Sequence, residues 1–176
     1  MKRIILIDGN SLMYRAYYGT AFTGNLMQNS KGLYTNAIYA FIRMLDTLIN
    51  QKYDNILVAF DAGKKTFRHE ILDSYKDGRS PMPDEMRMQI PHIKEYLHLM
   101  NIKEYQLPLY EADDIIGSMA KEAMEAGYHV DIYSSDKDLL QLISDEVVVK
   151  LLKSSDYIMM DKEEFKKTYG TEPIRM

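Results

Sequence analysis

The sequence contains no cysteine. Disulfides, thiolate-held zinc, iron–sulfur clusters and thiol nucleophiles are thereby excluded. Its apolar runs are short. None approaches the roughly 20 residues that cross a bilayer. The run at residues 4–7, behind Lys2 and Arg3, is also too short for a signal-peptide core. A cytoplasmic protein with no membrane partner is expected. Positive charge is not in excess either: 26 acidic against 22 basic residues leave a net charge of -4. No global attraction to nucleic acid follows, so any such binding must come from local patches. The four histidines, His69, His92, His98 and His129, show no ligand spacing. What is present is globular in character: 176 residues, 46% hydrophobic and 27% charged. That suits one domain with a sizeable core and rules out disorder as the main state.

The apolar residues fall into strand patterns alternating with helix patterns. Residues 4–7 and 56–60 are continuous apolar runs, as in strands buried on both faces. Residues 102–107, 129–133, 147–152 and 157–160 give further strands. Helices are predicted from a cap at Asn10 or Ser11 through Tyr18, over 33–51, over 84–100 with a kink at Pro91, and over 111–126, 136–142 and 161–169. Gly127 and Gly170 stand at two helix stops. Residues 19–32 and 62–83 read as loops, and a gap as long as the second is usually functional. The alternation predicts an α/β fold with a mostly parallel central sheet flanked by helices.

Ligands of parallel sheets bind beyond the carboxyl ends of the strands. The acids of this chain concentrate there. Asp8 follows the first strand and Asp61 the second. Glu111, Asp113 and Asp114 open the helix after the 102–107 segment, and Asp136 and Asp138 follow the 129–133 strand. One Asp after a strand is commonly a turn former or a helix cap. Acids at four strand ends together are not explained that way. Converging carboxylates repel unless a cation intervenes, and hard divalent ions with oxygen ligands, Mg²⁺ or Mn²⁺, are the usual cations. Two such ions can clamp the attacking and leaving oxygens of a phosphodiester displacement. The acids point to metal-dependent phosphoryl chemistry. No organic cofactor is expected. The segment 62–80 holds Lys64, Lys65, Arg68, Lys76 and Arg79 against Glu70, Asp73 and Asp77, a net +2. Phe67 and Tyr75 interleave with them, a pairing suited to single-stranded nucleic acid. Competing readings fail on single residues. A haloacid-dehalogenase-type phosphatase needs an acid where Asn10 stands, and the Gly63-Lys64-Lys65-Thr66 stretch lacks the P-loop spacing.

Six motifs occur in one order: Asp8-Gly9-Asn10-Ser11-Leu12-Met13-Tyr14-Arg15-Ala16, Phe60-Asp61-Ala62, Phe67-Arg68-His69-Glu70, Tyr75-Lys76-Asp77-Gly78-Arg79, Tyr110-Glu111-Ala112-Asp113-Asp114-Ile115-Ile116-Gly117 and Ser135-Asp136-Lys137-Asp138-Leu139-Leu140-Gln141-Leu142. Together they resemble the 5′→3′ exonuclease and flap endonuclease family, especially the N-terminal nuclease domains of bacterial DNA polymerases I. The resemblance implies a PIN-like fold and two catalytic divalent ions. Asp8, Asp61, Glu111 and Asp113 would line the first ion. Asp136 and Asp138 would lead the second, with Asp114 joining directly or through water. Residues 62–83 would form a helical arch for the 5′ strand, with Arg68, Lys76 and Arg79 on phosphates. Tyr14 and Arg15 would face DNA near the scissile bond. The implied activity is hydrolysis of DNA at a 5′ end or 5′ flap by metal-activated water, in replication and repair. The oligomeric state is not legible in the sequence, and a monomer is the expectation. The family's Thr-Gly or Thr-Ala before Asp-Lys-Asp is Ser134-Ser135 in this chain. Both are small, and little effect is expected. The family pattern continues into a helix–three-turn–helix with further metal-ligating Asp residues, and these 176 residues stop where it would begin. The alternative is a catalytically impaired nucleic-acid-binding module of the same fold.

Overall fold

The computed structural model describes residues 2–22, 24, 26–63, 81–153 and 156–173. The strands β1 (Lys2–Asp8), β2 (Asn55–Ala59), β3 (Lys103–Tyr105), β4 (Tyr128–Ser134), β5 (Val147–Leu152) and β6 (Tyr157–Met160) form one sheet. Its order is β3-β2-β1-β4-β5-β6. The first five strands run parallel, and β6 returns antiparallel along β5. Strand order reverses at β1 and β4, and the crevice at such a switch point is where open α/β sheets bind ligands.

Both faces of the sheet are covered, which is why the strands read as unbroken apolar runs. Ile4 and Leu6 of β1 face one core, with Val130 and Ile132 of β4 and with helix α5 (Ala112–Glu125). Ile5 and Ile7 face the other, beneath α1 (Gly9–Ala21), α2 (Asn36–Ile49), the short α3 (Asp84–Arg87) and α4 (Ile90–Leu99). Burying one such side chain contributes about 1.5–3 kcal/mol. A final helix, α6 (Lys162–Tyr169), is capped by Asp161 and closed by Gly170 at φ 73°. Among the described residues no helix is long and apolar enough to cross a membrane.

Several helix boundaries depart from the sequence reading: α1 runs on to Ala21 rather than Tyr18, α2 spans Asn36–Ile49 rather than 33–51, and the helix expected over 136–142 is a 3-10 helix at Asp138–Leu142. Neither Asn10 nor Ser11 caps α1. Asp8 does, accepting the Ser11 N–H at 2.9 Å, because β1 passes into the helix with no intervening turn. Gly9 makes that possible: a Cβ there would stand 2.5 Å from the Phe60 ring. Residues 84–100 form two helices rather than one kinked at Pro91, which sits harmlessly in the first turn of α4. The break falls at Gln89, fully buried, whose Oε1 accepts the N–H groups of Ala37 at 2.8 Å and Ile38 at 3.1 Å. Thr35 does not cap α2 with its own side chain, so a glutamine from elsewhere satisfies these otherwise unpaired donors. The arch expected at about 62–83 lies almost wholly outside the described residues.

Candidate active site

β1 ends on Asp8, which is 4% exposed. Its Oδ2 accepts two hydroxyls, from Ser11 and Ser134, each at 2.6 Å. Asp61, just past β2, is held by Asn10 Nδ2 at 2.7 Å on one carboxylate oxygen and by the Ala112 N–H at 2.8 Å on the other. That second bond comes from the N-terminus of α5, whose positive end favours a carboxylate. Glu111 caps α5 and is buried. Asp136 follows β4, donates its backbone N–H to Ser134 Oγ at 3.0 Å and accepts the Asp138 N–H at 2.9 Å.

Asp113 shows how closely these groups crowd. Burial, then the charges of Asp8, Asp136, Asp61 and Glu111, push its carboxyl up to about 7. Asp8 is raised too, mainly by burial, against the lowering bonds of Ser11 and Ser134 and with a further push from Asp61. Five of the seven expected acids are thus electrostatically one group at the carboxyl edge of β1, β2 and β4. The other two make different contacts. Asp114 turns back onto its own helix and accepts the Glu111 N–H at 3.0 Å, closing a reciprocal capping box. Asp138 is exposed and lines a groove of about 490 Å³ with Lys137, Gln141, Phe165 and Tyr169.

Among the described residues no three acids are arranged, as they stand, to hold one ion together. The side chains of Asp8, Asp61, Glu111, Asp114 and Asp136 rest on hydroxyl or N–H donors. The donor chemistry still suits a hard divalent cation, being all carboxylate oxygen. The concentrated charge suits it as well, since a cation would relieve the repulsion that raises Asp113.

Of the expected DNA contacts, Arg15 donates to the backbone carbonyl of Asp156 at 2.9 Å, beside the β5–β6 connection. Tyr14 lies near-parallel to Tyr18, ring centroids 6.1 Å apart. Arg68, Lys76 and Arg79 lie outside the described residues. The sequence reading missed Asn10, Ser11 and Ser134 as supports of the acids. For Asn10 and Ser11 the signal was their place in the first turn after Asp8; for Ser134 there was none beyond its place at a strand end.

Comparison with known proteins decides the family. The model of the 5′-3′ exonuclease N-terminal resolvase-like domain matches residues 3–170. The chain belongs to this family. It is 43% identical over 175 residues to a DNA polymerase I of Bacillus subtilis (strain 168), a match covering 98% of the chain and 19% of that protein. It is 42% identical over 177 residues to a 5′-3′ exonuclease of Aquifex aeolicus (strain VF5), covering 100% of the chain and 59% of that protein. The chain therefore spans about a fifth of the first relative and well over half of the second. Its fold matches that of the bacteriophage T5 flap endonuclease in a complex with DNA and metal ions, with TM-score 0.69 at 17% identity over 98% of this chain and 62% of that one. The family's fold is the PIN-like one expected from the motifs.

Proposed function

We propose that this chain hydrolyses DNA phosphodiester bonds at 5′ ends and 5′ flaps, using two divalent ions, Mg²⁺ or Mn²⁺, bound at the acid edge. The observation that carries the reading is the convergence of Asp8, Asp61, Glu111 and Asp136 on Asp113 at the strand ends, a crowding that with burial pushes the Asp113 carboxyl up. A structural surface would not concentrate uncompensated acids at a strand switch point, whereas perturbed groups in a crevice are typical of function. The T5 enzyme's complex with DNA and metal ions supports the same choice of partner. The relatives that carry the name DNA polymerase I support a place in replication and repair.

In this reading Asp8, Asp61, Glu111 and Asp113 hold the first ion, and Asp136 with Asp138 the second. Bound there, such ions would acidify a water and stabilise the charge of the attacking and leaving oxygens. The chain's own residues supply the order. Asn10 and the Ala112 N–H fix both oxygens of Asp61. Asp114 acts on the site by holding the Glu111 backbone, or through water. The basic residues Arg68, Lys76 and Arg79 neutralise phosphates of the 5′ strand. Among the described residues Arg15 gives one of its five donors, to the Asp156 carbonyl, and it joins Tyr14 beside the DNA. The alternative of an impaired binding module is not favoured, because the seven acids are intact.

The test is cleavage of a 5′-labelled flap DNA by this chain with Mg²⁺, Mn²⁺ or EDTA. Short 5′ products are expected with metal, none with EDTA, and none from Asp113→Ala. Products unaffected by EDTA, or unaffected by Asp113→Ala, would overturn the reading.

A further inference from the structure

Four hydroxyl and amide bonds join the two halves of the acid edge. Asp8 at the end of β1 and Asp136 beyond β4 have no direct bond. Ser134, fully buried, lies between them: its hydroxyl donates to Asp8 Oδ2 at 2.6 Å and accepts the Asp136 N–H at 3.0 Å. Ser11 donates to the same Asp8 oxygen at 2.6 Å. Ser135 in turn donates its hydroxyl to Ser11 Oγ at 2.7 Å. Each hydroxyl has one proton, so the directions are settled: Ser135 gives to Ser11, and Ser11 and Ser134 give to Asp8.

A carboxylate offers about four acceptor positions, two on each oxygen. Ser11 and Ser134 take both on Asp8 Oδ2, and the Ser11 N–H takes one on Oδ1. Among the described residues this leaves one position on Oδ1 for an ion. The serines thus decide which oxygen of Asp8 is offered. Ser134 alone also ties that choice to the position of Asp136. Ser134 is not a ligand in this scheme; it acts through the two acids that are.

We infer that Ser134 is a positioning residue that sets the separation of the two ion sites, with Ser11 holding the same oxygen of Asp8 beside it. The inference rests on the two-ion reading above. Residues that orient ligands in this way typically affect metal affinity by 10- to 100-fold.

The test is calorimetric titration of the metal-free chain with Mn²⁺, for the wild type, Ser134→Ala and Ser134→Thr, each checked as folded by circular dichroism. Ser134→Ala should weaken Mn²⁺ binding by about tenfold or more. Ser134→Thr keeps the hydroxyl and should bind nearly as the wild type does, a rescue that a pure packing role would not give. If Ser134→Ala fails to fold, Ser11→Ala, on a half-exposed helical turn, should weaken binding by a similar factor. A wild type that binds no Mn²⁺ would overturn the metal reading and this inference together. A wild type that binds, with alanine variants that bind equally well, would overturn the inference alone.

Discussion

Asp131 and Asp113 are two largely buried aspartates near the same sheet, one in the middle of β4 and the other in the first turn of α5. Asp131 is 3% exposed. It accepts from Arg3 at 2.7 Å, from Lys150 at 3.0 Å and from the Tyr53 hydroxyl. Burial alone would raise its carboxyl, but Tyr53, Lys150 and Arg3 outweigh burial and hold it below the usual range. Lys150 is buried as well, its ammonium 4.9 Å from the Tyr133 ring centroid and 5.3 Å from that of Tyr157. Asp113 meets the reverse surroundings: burial again, and then four more carboxylates. The fold knows how to neutralise a buried acid and does so at Asp131. At the strand ends the described residues leave the charge around Asp113 unbalanced, which is what a site for cations requires.

Substitution should separate the two sites most sharply. Asp131→Ala leaves Lys150 buried without its counter-charge, and breaking a buried pair from one side costs about 3–5 kcal/mol. Urea denaturation should show that loss. Asp113→Ala should abolish cleavage, yet the metal-free protein should fold and melt no lower than the wild type at pH 8, because a repelling charge has gone. An unfolded Asp113→Ala by circular dichroism would break the contrast.

Next in size is the dependence on pH. A free Asp titrates near 3.9, whereas folded Asp113 titrates at about 7. Between those values the folded chain holds a proton that the unfolded chain has lost. Asp113 therefore destabilises the metal-free protein progressively as pH rises through that window, and not further above it. Asp131, lowered, acts oppositely: its stabilisation is full above about pH 4 and lost as pH falls further. Melting curves without metal should fall from pH 5 to pH 8 in the wild type and fall less in Asp113→Ala. Equal slopes would remove Asp113 as the source.

The smallest expected effect concerns the third charged region, the basic residues between 64 and 79. Lys76→Ala should weaken DNA binding and reduce its salt slope by about 0.9. An unchanged slope would take Lys76 off the phosphates.

How legible all this was in sequence depends on the range of the forces involved. β5, β6 and α6 were readable to the residue because apolar runs, the Asp161 cap and the Gly170 stop are local signals. The gathering of Asp8, Asp61, Glu111, Asp113 and Asp136 was readable because a parallel sheet puts strand ends on one edge. Which acids turn inward was not. Asp114 is spent on a helix cap, a choice made by side-chain torsion rather than spacing. The Ser134 bond to Asp8 spans 126 positions, and Gln89 reaches Ala37 across 52. No local pattern carries bonds of that reach. Lys150 sits in a Val-Val-Val-Lys-Leu-Leu strand whose period hides a buried cation until Asp131 and the tyrosines are assembled around it.

The most direct measurement is the melting temperature of the metal-free chain with and without millimolar Mn²⁺. Binding to the folded form alone contributes about 2.7 kcal/mol at a hundredfold excess over the dissociation constant, roughly 5–10 °C for a chain of this size. The account expects a rise of that order in the wild type and in Ser134→Thr, and a much smaller one in Asp113→Ala. A wild-type melting temperature that stays unchanged in millimolar Mn²⁺ would contradict it.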